Sequence, residues 1–321
     1  LPAEDNALLM NAAEQTNGMA ALIQMIADCP DKSVQTMLRD FGHPNLPALA
    51  RDILEAQPDY AHLADAAELV AFDAAIFRRV QANLQAANLL PGAAKILNLA
   101  CGPLAEQALL LSSAGYKVIG VDLDLPPKFL PAGGLKLWFK RRQHHRAWQQ
   151  ATAAYFEALA QQIDTKLKWN NAAIKLADLT RLAEAEASFE AVICLNHLQH
   201  APNVNGLLAE AARVLKPGGL FIANIRPFVS LTGALQVDLN TPWGHLRNAA
   251  WAETAPQLPL NRWREAQFKA ALEQHFATVD WEPENEPQTL RLLTPDIRAE
   301  LAAYPEDELT HKQIWVVAHK G

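Results

Sequence analysis

The sequence predicts a doubly wound α/β fold on a mostly parallel seven-stranded sheet, with a helical region in front of it. Three observations predict this architecture. Helical periodicity fills residues 1–90, short apolar runs alternate with amphipathic segments from residue 95 onwards, and most of those runs lack polar residues on either face. Parallel strands that helices cover on both faces have this composition, and their alternation with helices implies right-handed crossovers.

The first part of the chain is predicted to be entirely helical. Apolar residues recur at helical spacing in residues 6–27, in 45–56 and in a longer segment at about 64–89, which Pro91 and Gly92 end. We expect residues 1–64 to form a helical N-terminal region that acts as a lid or dimerisation element. The main domain is then expected to span residues 65–321.

Seven apolar runs are predicted to be strands. Four of the first five are nearly continuous apolar runs, as a Rossmann-like parallel sheet requires, and helices at 106–114 and 204–215 lie between them. Residues 293–309 are expected to form a long helical excursion before the last strand. The predicted strands are 95–100, 117–122, 173–178, 190–195, 220–225, 276–281 and 312–319.

Composition limits the classes of function. The chain has 321 residues, half of them hydrophobic, and a net charge of −7, which disfavours a dedicated nucleic-acid binder because phosphate contacts need a basic surface. No apolar run is long enough for a transmembrane segment, and no secretion signal is visible. Three scattered cysteines suggest neither a disulfide framework nor a metal site. We therefore expect a cytoplasmic protein without a bound metal.

Four stretches with chemical meaning occur in order. The run I-L-N-L-A-C-G-P ends the first strand, Asp122 ends the second 20 residues after Gly102, A-D-L follows the third, and A-A-R-V-L-K-P-G-G-L-F-I-A leads into the fifth. An acid placed like Asp122 can accept hydrogen bonds from ribose hydroxyls. A dehydrogenase would also need G-x-G-x-x-G to approach a pyrophosphate, and only Gly102 of those glycines is present.

Together these stretches resemble the class I S-adenosylmethionine-dependent methyltransferases over about residues 65–321. The resemblance implies S-adenosyl-L-methionine as cofactor and a loop that passes its ribose and methionine portions without meeting a phosphate. Two positions depart from the family: Asn98 replaces an acid, and Leu104 replaces the last glycine of the loop. The cofactor-binding residues that it implies are Asn98, Ala100, Gly102, Pro103, Asp122, Leu123, Asp178, Leu179, Asn196 and His197.

Histidines near the predicted site are candidates for a general base, since imidazole titrates near neutral pH. His197 and His200 follow the fourth strand, and His245 lies in P-W-G-H-L-R, which in similar methyltransferases leads into a helix flanking the substrate. Each has packing as its alternative role, just as Asp178 could instead cap a short following helix. The residues predicted to contact the acceptor are Arg226, Trp243 and Arg247, and each could instead be structural.

A basic insertion lies between the second and third strands. Residues 125–170 hold eight Lys or Arg against Glu157 and Asp164, with aromatic residues interleaved. Three roles remain open for it: a solvated helix packed on the sheet, a docking surface for an anionic substrate or carrier, and an amphipathic contact with lipid.

The sequence thus predicts methyl transfer from S-adenosylmethionine to an oxygen or nitrogen of a small or medium-sized metabolite. The expected partner is this small molecule, with no stable nucleic-acid partner; an anionic or carrier-bound form of the molecule and a homodimer are left open. A non-catalytic scaffold on the same fold is the main alternative, motivated by Asn98 and Leu104. An RNA methyltransferase that uses the basic insertion is the weaker alternative.

Overall fold

The structure is a computed structural model that describes residues 46–55, 67–169, 172–231, 242–247, 261–285 and 289–321. The helices expected before residue 45 lie outside these residues. The described chain forms one seven-stranded sheet with helices on both faces. Its strands are β1 Lys95–Leu99, β2 Lys117–Asp122, β3 Ala173–Leu176, β4 Phe189–Leu195, β5 Leu215–Ile225, β6 Thr278–Asn285 and β7 His311–His319.

The sheet has the order β3-β2-β1-β4-β5-β7-β6, which confirms the doubly wound, mostly parallel sheet. The first five strands are mutually parallel, while β7 is antiparallel to both β5 and β6. Strand β1 lies between β2 and β4. The chain first builds the half of the sheet on the β2 side and then returns to build the other half from β4, so the strand order reverses at β1. A crevice for ligands forms at such a reversal, beyond the carboxyl ends of the strands.

Helices connect the strands as the periodicity predicts, with one long helix in the β2–β3 connection. The described helices are α1 Leu46–Glu55, α2 Ala67–Ala86, α3 Glu106–Ser113, α4 Gly134–Gln162, α5 Val204–Val214, α6 Gly244–Arg247, α7 Glu265–His275, α8 Thr289–Leu292, α9 Pro295–Glu300 and α10 Glu306–Thr310. Short 3₁₀ turns cover Pro127–Phe129 and Leu198–His200. None of the described helices combines the length and apolarity that crossing a bilayer requires.

Alternate residues of β1 show how the two sheet faces are covered. Ile96 packs with α2, α3 and α4, while Leu97 packs on the opposite face with α5 and α7. Leu54 of α1 joins the first of these cores, so the described part of the expected N-terminal region packs against the main domain. Both faces are buried, which explains the continuous apolar composition of the central strands.

Two details differ from the sequence prediction. The K-P-G-G turn lies inside β5 as a bulge, because Leu215 pairs with Phe189 whereas Leu220 pairs with Ala191. The long excursion over 293–309 is not one continuous helix. Thr294 caps α9 with Pro295 in its first turn, and Pro305 begins α10. A proline is favoured at a helix start and disrupts a helix interior, so the two prolines divide this segment.

Candidate functional site

The loop after β1 is held in a left-handed backbone conformation. Ala100, Gly102 and Ala105 have φ of 52°, 71° and 51°. Such values cost an alanine on the order of 1 kcal/mol, so this loop is strained at two positions. A Cβ on Gly102 would meet no atom within 4 Å, which means that the space above it is open and that only its φ favours glycine over alanine.

Leu104, which replaces the last glycine of the family's loop, is 8% exposed and belongs to the core that also contains Ala105 and Trp148. The carbonyl of Pro103 accepts a hydrogen bond from the Trp148 indole of α4 at 3.0 Å, which fixes the loop to the insertion.

Asp122 ties the end of β2 to the loop. Its Oδ2 accepts from the backbone N–H of Gly102 at 2.7 Å, and its Oδ1 accepts from Leu123 and Asp124 at 2.6 and 3.1 Å. Burial raises the pKa of Asp122 although these three bonds favour its ionised form. A carboxylate has about four acceptor directions, so one is left for a further donor.

Two buried side chains beside the loop carry acceptors without a partner in the described residues. Asn98, 2% exposed, donates from Nδ2 to the Leu99 carbonyl, and its Oδ1 accepts nothing. Gln107, 3% exposed, donates to the Asp73 carbonyl at 3.0 Å, and its Oε1 accepts nothing. Unpaired buried acceptors are unfavourable, so both oxygens suit a ligand with N–H donors, such as the ammonium of S-adenosylmethionine.

A cluster of ionisable side chains lies beside these groups. Asp73 of α2 accepts a hydrogen bond from Tyr155 of α4 at 2.7 Å, in a buried position. Burial raises the pKa of Asp73 to about 6, although the Tyr155 bond and the charge of Arg226 both lower it. Burial, followed by the charge of Asp73, raises the pKa of Glu106 to about 8. We call Asp73, Glu106, Tyr155 and Arg226 the carboxylate cluster.

The carboxylate cluster spans the crevice. Glu106 begins the helix after β1, and Arg226 directly follows β5, while Asp73 interacts electrostatically with both. Since β4 lies between β1 and β5, the cluster lies over the carboxyl ends of these three strands. The guanidinium of Arg226 lies over the Phe72 ring, 4.9 Å from its centroid.

Comparison with known proteins finds a similarity to methyltransferases. A family model described as a methyltransferase domain matches residues 132–223, from just before α4 to near the end of β5. Over these residues the chain is similar to a methyltransferase domain, which agrees with the resemblance to class I S-adenosylmethionine-dependent methyltransferases. The match begins after the loop and Asp122, so the roles of those residues stay predictions.

Solved structures similar to this chain include phosphoethanolamine N-methyltransferase 2 of Haemonchus contortus in complex with S-adenosyl-L-methionine. That pair shares 16% identity over 76% of this chain and 52% of the other, with a TM-score of 0.44. A Pyrococcus horikoshii protein shares 17% identity over 71% and 82%, with a TM-score of 0.40. The YcgJ protein of Bacillus subtilis shares 14% over 72% and 93%, with a TM-score of 0.38. No curated protein matches the chain significantly.

The polar residues after β4 form a bonded network. The backbone N–H of Asn196 donates to Asn224 Oδ1 at 2.7 Å, and Asn224 Nδ2 returns a bond to Asn196 Oδ1 at 2.8 Å. Asn196 has φ of 53°, and its carbonyl accepts from Gln199. The network fixes the turn that carries His197 and His200 at the crevice.

The three candidate histidines lie in different environments. Burial lowers the pKa of His197 to about 4, so its imidazole is neutral at physiological pH. His245 Nε2 is 2.7 Å from the Phe228 carbonyl, and burial lowers its pKa to about 4 as well. His200 is partly buried in the 3₁₀ turn after β4. A base with a pKa near 4 accepts protons poorly at neutral pH, which weakens the case for His197 and His245.

The residues after β3 form a turn. Asp178 Oδ1 accepts from the backbone N–H and the hydroxyl of Thr180 at 2.9 and 2.8 Å, and no helix follows, so the alternative that Asp178 caps a helix is wrong. Leu179 is 6% exposed and packs in the core on the α5 side of the sheet. Its position leaves little surface for a cofactor.

The three predicted acceptor contacts lie in different environments. Arg226 belongs to the crevice, as described above. Trp243 is fully buried, and its indole donates to the Leu309 carbonyl at 3.2 Å, so it offers no surface to a ligand. Arg247 forms a bidentate pair with Glu300 at 2.6 and 3.0 Å. The burial of Trp243 and the ion pair of Arg247 therefore indicate structural roles for these two residues.

Sequence reasoning missed Asp73, Glu106 and Tyr155. Asp73 and Tyr155 are 82 residues apart and belong to helices whose packing no local pattern reveals. One signal was available: Asp73 lies among Val70, Ala74 and Phe77 on the apolar face of a predicted helix. A carboxylate on such a face is rarely buried without a partner or a function.

Proposed function

We propose that this chain methylates an oxygen or nitrogen of a small or medium-sized metabolite bound over the carboxyl ends of β1, β4 and β5. One observation carries the proposal: the carboxylate cluster lies at the reversal of strand order, beside the loop after β1. When bound, S-adenosylmethionine supplies a methyl group on a positively charged sulfur, ready for in-line displacement.

The chain's own residues divide into a cofactor side and an acceptor side. On the cofactor side, the free acceptor direction of Asp122 receives a ribose hydroxyl, and the oxygens of Asn98 and Gln107 receive the ammonium. The unpaired acceptors of Asn98 and Gln107 support this assignment. Ala100, Gly102 and Pro103 line the open space of the loop, as the family resemblance implies.

The other cofactor contacts follow the resemblance. Leu123 lies against the adenine, Asp178 faces the adenine amino group, and Asn196 and His197 face the methionine portion. Leu179 belongs to the same set, although its burial favours packing. The burial of Leu104 in the core gives it a packing role, which weakens its use as an argument for a non-catalytic scaffold.

On the acceptor side, the carboxylate cluster orients the nucleophile and receives its proton. A carboxyl with a pKa near 6 can exchange protons at neutral pH, unlike an exposed aspartate or His197. The Tyr155 hydroxyl fixes the orientation of Asp73, and Arg226 is placed to bind an anionic group of the acceptor. Alignment and exclusion of water then supply most of the rate enhancement.

Calorimetry tests the cofactor side. S-adenosylhomocysteine should bind the wild-type protein with one site, and Asp122→Ala should weaken this binding, while Asp280→Ala on the exposed face of β6 should not. Absence of binding at millimolar concentration would overturn the proposal.

The acceptor side needs a transfer assay. Tritiated methyl groups should enter the low-molecular-mass fraction of a metabolite extract, and Asp73→Asn should abolish this transfer without reducing the affinity for S-adenosylhomocysteine by more than about threefold. Label found only in the RNA fraction would favour the RNA methyltransferase instead.

A further inference from the structure

The exposed N-terminal half of α4 carries a surface that methyl transfer does not explain. Residues 125–156 hold six Lys or Arg and no Asp or Glu, in a chain whose net charge is −7. Five of these six residues lie on α4, so basic charge is concentrated on one element of an acidic protein. An element of this kind attracts anionic partners, whatever the methyl acceptor.

Large apolar side chains project from the same turns. Leu135 is 71% exposed, Phe139 57% and Trp138 38%; among the described residues, only three other large hydrophobic side chains are comparably exposed. Trp138 and Phe139 pack edge to face, 4.9 Å apart, and the Arg142 guanidinium lies 5.7 Å from the Trp138 ring centroid. An open depression of about 390 Å³ adjoins them, lined by Ala132, Gly134, Leu135 and Trp138.

The spacing places these side chains on one face of the helix. Leu135, Phe139, Arg142 and Arg146 follow each other at intervals of four, three and four residues, so they share one stripe, with Trp138 beside it. We call Leu135, Trp138, Phe139, Arg142 and Arg146 the basic-aromatic face.

The other half of α4 is built into the methyltransferase site. Trp148 holds the loop after β1 through the Pro103 carbonyl, and Tyr155 holds Asp73. The helix is continuous over Gly134–Gln162, so the basic-aromatic face has a fixed position relative to the crevice.

We propose that the basic-aromatic face docks on an anionic lipid surface. An exposed apolar tip surrounded by Lys and Arg is what an interfacial helix presents: the apolar side chains enter the headgroup boundary while the cations meet lipid phosphates. An RNA partner fits less well, because the most exposed side chain of the face is the aliphatic Leu135 and the net charge of the chain is −7.

Vesicle co-sedimentation of the full chain tests this proposal. Vesicles of phosphatidylcholine with 30% phosphatidylglycerol should pellet the protein at about 50 mM NaCl, whereas vesicles of pure phosphatidylcholine should not. Binding should fall at least tenfold at about 500 mM NaCl, since surface charges are then screened.

Matched variants distinguish binding through the basic-aromatic face from non-specific hydrophobic adsorption to the vesicles. The pairs Leu135→Ser with Phe139→Ser, and Arg142→Gln with Arg146→Gln, should each reduce vesicle binding at least tenfold. The pair Leu90→Ser with Leu290→Ser is the control, because these leucines are 57% and 51% exposed outside the face, and it should bind like the wild type.

Three results would overturn the proposal. The first is no binding to phosphatidylglycerol vesicles, and the second is equal loss in the control pair. The third is a melting temperature of Leu135→Ser with Phe139→Ser that falls, in the absence of lipid, well beyond the few degrees expected from the lower helix propensity of Ser and the lost Trp138–Phe139 contact. Such a loss would mean that another part of this chain or a second copy covers the face. All three are independent of cofactor binding, so they do not bear on the methyltransferase reaction.

Discussion

Asp73→Asn is expected to stabilise the folded protein at neutral pH while abolishing methyl transfer. Asparagine resembles the neutral carboxyl group in shape and can still accept the hydrogen bond from Tyr155. It removes the cost of keeping a buried, ionised carboxylate at this position. The difference in unfolding free energy between this variant and the wild type therefore measures how much the charge of Asp73 destabilises the folded state.

The magnitude follows from the pKa of Asp73. The native value of about 6 exceeds the ordinary value of 3.8, so the native state holds this proton more tightly than the unfolded state. The resulting stabilisation is complete below pH 3.8 and is lost as the pH rises through 6. At 1.36 kcal/mol per pKa unit, the wild type loses on the order of 3 kcal/mol at pH 7 and less than about 1 kcal/mol at pH 4.

Urea unfolding followed by circular dichroism measures this difference. Asp73→Asn should raise the free energy of unfolding by about 3 kcal/mol at pH 7 and by less than about 1 kcal/mol at pH 4, with an unchanged denaturant slope. Asp280→Asn, on an exposed strand face, is the control and should change little at either pH. A loss of stability in Asp73→Asn at pH 7 would refute the reasoning, because it would show that a cation compensates the carboxylate.

Four further outcomes are expected. Asp122→Ala should weaken S-adenosylhomocysteine binding about 10- to 100-fold by calorimetry, since a charged acceptor contributes about 1.5–3 kcal/mol per hydrogen bond. Arg226→Gln should raise the KM for an anionic acceptor at least tenfold with less change in kcat, while the surface variant Arg298→Gln should leave both unchanged. His197→Asn should leave the pH profile of kcat between pH 6 and 8 in place, because the imidazole is already neutral there; a shifted profile would assign His197 as the base. Trp243→Ala should lower stability by about 3–5 kcal/mol, and preserved stability with lost activity would return it to the acceptor site.

The fold could be predicted because its signals are local. A strand buried on both faces, such as β4, is a continuous apolar run, and a helix buried on one face, such as α5, has apolar residues at helical spacing. Both patterns are visible in the sequence, so the seven predicted strands lie within a few residues of the observed ones. Element ends were less accurate where a proline or bulge decided them. Pro295 and Pro305 divided an expected single helix, and the K-P-G-G turn became part of β5.

The site could be predicted only where it follows the chain. Gly102 and Asp122 are close in space because adjacent parallel strands end at one edge, which their spacing of 20 residues already indicates. Asp73 and Tyr155 meet because α2 packs on α4, and no sequence pattern indicates which residues of the two helices face each other. Trp243 and Arg247 were predicted as site residues because Trp and Arg are common in binding sites. In the structure Trp243 is a buried core residue and Arg247 forms a surface ion pair, roles that the same residue types fill equally well.

A crystal structure with S-adenosylhomocysteine bound tests the central claim most directly. The account predicts that the ribose hydroxyls bind the Asp122 carboxylate, that the amino group meets Asn98 or Gln107, and that the sulfur faces the Asp73–Tyr155 pair across open space. A ligand bound away from the carboxyl end of β1, or a sulfur turned away from Asp73, would contradict it.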